Sequence, residues 1–207
     1  MKKIVCLLTF GLMLLLSVNG ASAAKNDNYP TAKEIEVLNQ ELQGLVDKAN
    51  KKLADGEKNF EVKGKNLTVG FKEKEIIDSA SLKESQLQSS LISIAAIGSK
   101  EYQAYVANTS GFNFSHAVSG VFSWNGDYLT GLTAKADLTG VMYEKSHSTT
   151  KEGLDGIING SSAKVGRVTS EGRFKALKYF ANYYTTLIVD VYAPTQSYRI
   201  VTAKITY

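Results

Sequence analysis

Two histidines, and a lone cysteine at position 6, bound the reactive chemistry open to this 207-residue chain. His116 directly follows Ser115, the residue types of a general base and the nucleophile it activates. His147 follows Glu144 by three positions, a spacing that on a helix would let the pair share a metal ion. Two imidazoles cannot supply a three-histidine zinc site, and the sequence holds no G-x-S-x-G elbow, phosphate-cradling loop, HExxH helix or calcium loop. A hydrolase built on two carboxylates would leave no local signature. Asp127, Asp137, Glu144, Asp155 and Asp190 are the acids of the β-rich half available to one, and each fits a turn or a solvated surface equally well.

The surroundings of Ser115 and His116 decide between chemistry and architecture. Even positions from 112 to 124 read Phe, Phe, His, Val, Gly, Phe, Trp; odd positions read Asn, Ser, Ala, Ser, Val, Ser. A period of two sustained this long predicts a half-buried strand, in which neighbours point to opposite faces. Ser115 and His116 therefore cannot hydrogen-bond to each other, and His116 is expected as a hydrogen-bonded core residue beside Phe112, Phe114 and Phe122. Asn125-Gly126 marks a type I′ hairpin turn, whose two central residues need positive φ, with Tyr128 to Ala134 as the returning arm. His147 and Glu144 fall in the polar run "EKSHSTT", read as a loop. No catalytic, cofactor-binding or metal residue is assigned.

Two looser groupings point to binding. Lys164, Arg167, Arg173, Lys175 and Lys178 have only Glu171 among them to offset their charge. That pattern suits an anionic surface such as a wall polymer or lipid headgroup, and it also suits a solvated strand face. Trp124, Tyr128, Tyr183 and Tyr184 would make an aromatic platform for a sugar or a membrane interface if they shared a surface; a tyrosine-rich core accounts for them as well.

These residues are carried by a mainly β chain. Thr31 stands three residues before Glu34 in capping-box spacing, and Ile35, Leu38, Leu42, Leu45 and Ala49 recur at helical intervals with Val46 and Leu53 beside them. Glu34 and Glu36 near the start, Lys48, Lys51 and Lys52 near the end, and Gly56 as a stop complete a predicted helix over 32–54. Its stripe suits packing on the sheet of its own domain; the alternative is self-association with a second copy. A hairpin follows, 60–62 and 67–71 about Gly64-Lys65. Ser81 and Glu84 repeat the capping-box spacing and favour a short helix over about 81–97, although "SLISIAAI" reads equally as a buried strand. Beyond residue 102 strand signals dominate: 102–107, the hairpin just described, two strands around Glu171-Gly172 within 163–180, 187–192, and a last strand from Tyr198 after a turn at Pro194. The fold class is an antiparallel β-sandwich or barrel with an N-terminal amphipathic helix, α+β where helices pack on the sheet.

The first 23 residues place the chain in a compartment. Lys2 and Lys3 precede an apolar run from Ile4 to Val18, and Ala21-Ser22-Ala23 offers small residues for cleavage before Ala24. This is the pattern of a secretory signal peptide, too short to span a bilayer. Its removal takes the only cysteine, Cys6, so the mature chain has no disulfide, thiolate site or cysteine nucleophile, and no lipid anchor at the cut. The formal charge falls from +4 to +2 as the two lysines leave, too mild for nucleic acid. No transmembrane segment is expected after residue 24. Residues 24–58 are read as linker and helix, and 59–207 as a β-rich domain forming one globular unit with that helix. The functional expectation is an exported Gram-positive exoprotein that binds a protein or an anionic component of the cell envelope without catalysis and without a cofactor. Its rivals are a membrane-active toxin or bacteriocin, and a carboxylate-dependent hydrolase.

Overall fold

The computed structural model describes residues 31–75, 97–108, 114–140, 143–156, 163–176 and 182–206. The leader and Lys178 lie outside the described residues, as does the helix expected over about 81–97 except for its last position, Ile97, which opens a strand.

Helix α1 runs from Ala32 to Ala54 with the capping box formed. Thr31 N–H donates to the Glu34 carboxylate at 2.6 Å, and Glu34 N–H donates to Thr31 Oγ1 at 3.3 Å. The chain turns off through Asp55 to Gly56, whose φ of +90° is the left-handed conformation that glycine adopts without steric cost. Strands β1 (Phe60–Lys63), β2 (Leu67–Glu75), β3 (Ile97–Asn108) and β4 (Phe114–Asn125) pair antiparallel in that order. β5 (Tyr128–Leu132) and β6 (Lys135–Thr139) both pair with β4, one at each end, to complete the first sheet. β7 (Tyr143–Gly153), β8 (Val165–Ala176), β9 (Asn182–Tyr192) and β10 (Ser197–Thr206) form the second, also antiparallel and in sequence order.

Alternating residues of the two inner faces interlock as a β-sandwich. Phe71 and Tyr102 of the first sheet meet Tyr198 of the second at ring-centroid distances of 5.4 and 5.6 Å, and Phe114 meets Phe174 at 5.6 Å. Val118, Phe122, Val168, Leu187 and Val189 fill the space between. Two inward glycines of β8 permit the sheets to close near β5 and β6. A Cβ on Gly166 would lie 2.8 Å from Leu132, and one on Gly172 would lie 2.7 Å from Thr185 Oγ1 and 2.8 Å from Leu138.

The helix closes one open side of the sandwich, packing on β1, β2 and β10. Ile35, Leu38, Leu42, Leu45, Val46 and Ala49 are buried there, so the stripe that would serve self-association is occupied by the chain's own sheets. Each of the isoleucine, leucine and valine side chains contributes about 1.5–3 kcal/mol relative to exposure. Polar groups fix the docking. Asn39 donates to Ile205 O at 2.8 Å and accepts from Ile205 N–H at 2.8 Å; Asn50 does the same with Ile200 at 2.7 and 3.1 Å. Eleven residues are three helical turns, so both amides meet the edge of β10 and replace the neighbouring strand it lacks. The Glu41 carboxylate accepts from Asn66 N–H at 2.8 Å and Leu67 N–H at 3.1 Å and so clamps the β1–β2 hairpin. The opposite edge, β7, is guarded differently. Inward-pointing Lys151 reaches the first sheet, donating to Leu132 O at 2.8 Å, and Lys145 donates to Gly140 O, just past β6, at 3.3 Å.

Three local readings need correction. The β4–β5 turn is centred on Gly126-Asp127, with Asn125 paired to Tyr128. Only Gly126 has positive φ, +58°, the pattern of a II′ turn instead of I′. The run "EKSHSTT" is strand β7 and not a loop; as an edge strand it is polar on both faces and carries no alternation. Residues 165–176 form one strand, with Glu171-Gly172 in its middle: Gly172 serves sheet contact, not a turn.

Candidate binding surface

The serine that meets His116 is not its neighbour Ser115 but Ser170, brought across the sandwich by β8. His116 Nε2 lies 2.9 Å from Ser170 Oγ, and Nδ1 lies 2.8 Å from Thr185 Oγ1 on β9. Ser170 Oγ is 3.2 Å from Thr149 Oγ1, which is 3.4 Å from Nδ1 of exposed His147, so hydroxyls link the core imidazole to the surface one. The first distance would suit a nucleophile and its base. However, His116 and Ser170 are both 0% exposed, and the group at Nδ1 is a hydroxyl where a triad would hold a carboxylate. Burial, with a smaller contribution from the charge of His147, pushes the imidazole down to about 4, so at neutral pH it is uncharged. The cluster joins β4, β8 and β9 inside the sandwich. Alternation gives the inward direction of His116; its partners, 54 and 69 residues away, have no local signal.

The five acids occupy different settings. Asp190, 2% exposed, accepts two hydrogen bonds from Arg167 at 2.7 and 2.9 Å. Asp155 accepts from Lys164 N–H and Val165 N–H at 2.8 and 3.1 Å. Glu144 pairs with Lys175 at 3.5 Å, Asp127 sits in the β4–β5 turn, and Asp137 is exposed on β6. Among the described residues no three of His, Cys, Asp and Glu come together to hold a metal ion.

Arg167, Arg173 and Lys175 share the outer face of β8 with Glu171. Their cross-strand neighbours include Asp190, Glu152 and Glu144, acids distant in sequence that offset the charge. The Asp190 carboxylate holds the Arg167 guanidinium above its ordinary proton affinity. Lys164 precedes β8 with its ammonium 5.5 Å from the centre of the Tyr128 ring. The four aromatics divide: Trp124 and Tyr183 are buried in the core, Tyr183 stacked on Phe174 at 5.1 Å, while Tyr128 and Tyr184 are 44% and 37% exposed on different sheets.

A feature without a sequence signal lies on the outer face of the first sheet. Lys72, Gln103 and Ser119 stand in one cross-strand row, and Glu101 with Val121 in another. Between these rows run Glu73, Tyr102 and Gly120. Glu73 and Tyr102 turn their side chains inward, Glu73 to Lys100 at 3.2 Å and Lys58 at 3.4 Å, Tyr102 to Thr133 O at 3.0 Å. Gly120 has no alternative, since a Cβ there would lie 2.0 Å from Thr133 O. The result is a trough of about 460 Å³, flanked by Asn59, whose Oδ1 accepts from Glu73 N–H at 3.1 Å. Among the described residues the side chains of Glu101, Gln103 and Ser119 have no hydrogen-bond partner, in contrast to most polar groups that join the elements.

No protein-family model, curated protein or solved structure matches the chain.

Proposed function

We propose that the mature chain is a non-catalytic binding domain, exported by a Gram-positive cell and acting at the envelope or beyond it. One observation carries the binding half of this reading: the serine–histidine pair is enclosed between the sheets, while hydrogen-bonding side chains without partners among the described residues gather in an open trough. Export rests on the leader sequence. Among the described residues no helix is long and apolar enough to cross a membrane.

The test is sedimentation of residues 24–207 with isolated cell-wall sacculi, assaying the supernatant for released sugars and peptides. The protein should pellet with the wall, release nothing, and behave identically as Ser170→Ala. Fragments released in proportion to protein and lost in that variant would replace binding by catalysis. N-terminal sequencing of the protein from culture medium should begin at Ala24; an intact leader on cell-bound protein would contradict export.

A further inference from the structure

We propose that the trough on the outer face of the first sheet binds a neutral, hydroxyl-rich chain, an oligosaccharide. This rests on the binding reading above and names its ligand class. The lining mixes donors with acceptors: the Lys72 ammonium and Asn59 NH2 donate, Glu101 accepts, and Gln103 and Ser119 do both. A sugar hydroxyl also does both, so successive hydroxyls find partners anywhere along such a wall. An anionic ligand drawn to Lys72 meets Glu101, and a cationic one drawn to Glu101 meets Lys72. The strands beneath already exchange their backbone hydrogen bonds with one another, so a peptide cannot add here as a further strand. Val121 is the one large apolar side chain of the outward rows, which does not suit a lipid tail or an aromatic ligand. The volume of about 460 Å³ lies within the range of small-ligand sites.

The experiment is a titration of 15N-labelled residues 24–207 with cellotetraose, maltotetraose and the N-acetylglucosamine tetramer at millimolar concentration, followed by amide and side-chain NH2 resonances. At least one tetramer should shift Asn59, Lys72, Glu101, Gln103 and Ser119 together. Gln103→Ala and Ser119→Ala, both at the surface, should leave the remaining spectrum intact and weaken binding about tenfold each, the loss of one or two hydrogen bonds. A parallel arm uses poly(glycerol phosphate). Shifts from that polymer on the outer face of β8, with none from the sugars, would discard the saccharide and keep the binding reading. Silence from every probe would remove both, and sugar shifts mapping away from the trough would refute its assignment.

Discussion

At the residue scale, His116 ties stability to pH. Its proton affinity is depressed to about 4 in the folded chain against an ordinary 6.5, so the unfolded chain takes up the proton first. Stability from this residue is complete above about pH 6.5 and falls toward about pH 4, by up to about 1.4 kcal/mol per pH unit. On β7 the titratable side chains of the face turned to the first sheet are Lys145, His147 and Lys151, none of them a carboxylate that would stabilise an imidazolium. Urea unfolding of wild type and His116→Gln at pH 7 and pH 5 should show a shallower pH dependence in the variant; equal slopes would assign the effect to other groups. The Arg167–Asp190 pair has an asymmetry that magnitudes decide. Asp190 is 2% exposed and the Arg167 side chain 29%, so removing the arginine strands the better buried charge. Arg167→Met should cost about 3–5 kcal/mol and Asp190→Asn nearer 1–3. The reverse order in chemical denaturation would mean that water reaches the carboxylate. Single residues were legible in the sequence only in direction. Alternation told which way His116 points, but Ser170, Thr185 and Asp190 reach their partners by strand pairing and sheet stacking, which local spacing does not encode.

At the scale of elements, the helix acts as the missing neighbour of β10. Asn39→Ala with Asn50→Ala would remove four hydrogen bonds to that edge and leave Ile200 and Ile205 backbone groups without them. The expected loss is about 1–2 kcal/mol per site, and the bared edge should self-associate. Light scattering after size exclusion should find dimers or larger species in the double variant; a stable monomer would mean that the apolar stripe alone protects the edge. Helix 32–54 was readable because capping residues, apolar spacing and the closing glycine agree. The β1–β2 and β4–β5 hairpins were readable from alternation, though Asn125-Gly126 misled by one residue because Gly126 suits the first place of a II′ turn. β7 was not readable: both its faces are polar, and the lysines that guard the edge are what a loop would also contain. Gly172 looked like a turn because a glycine needed for sheet contact is indistinguishable from one needed for bending.

Across the whole molecule, two sheets and a helical cover surround one aromatic core, and the proposed binding function therefore looks to the outer faces. The antiparallel sandwich with its packed helix follows from the strand-rich composition. The trough does not, since Asn59, Lys72, Glu101, Gln103 and Ser119 come from four segments and only sheet pairing aligns them. The binding reading thus depends on the imidazole–hydroxyl pair being sealed from solvent. Native diethyl pyrocarbonate labelling at pH 7, read by peptide mass spectrometry, measures that directly. His147 should be modified promptly while His116 stays unmodified until urea unfolds the chain. Modification of both at comparable rates in the folded protein would open the sandwich to substrate and contradict the account.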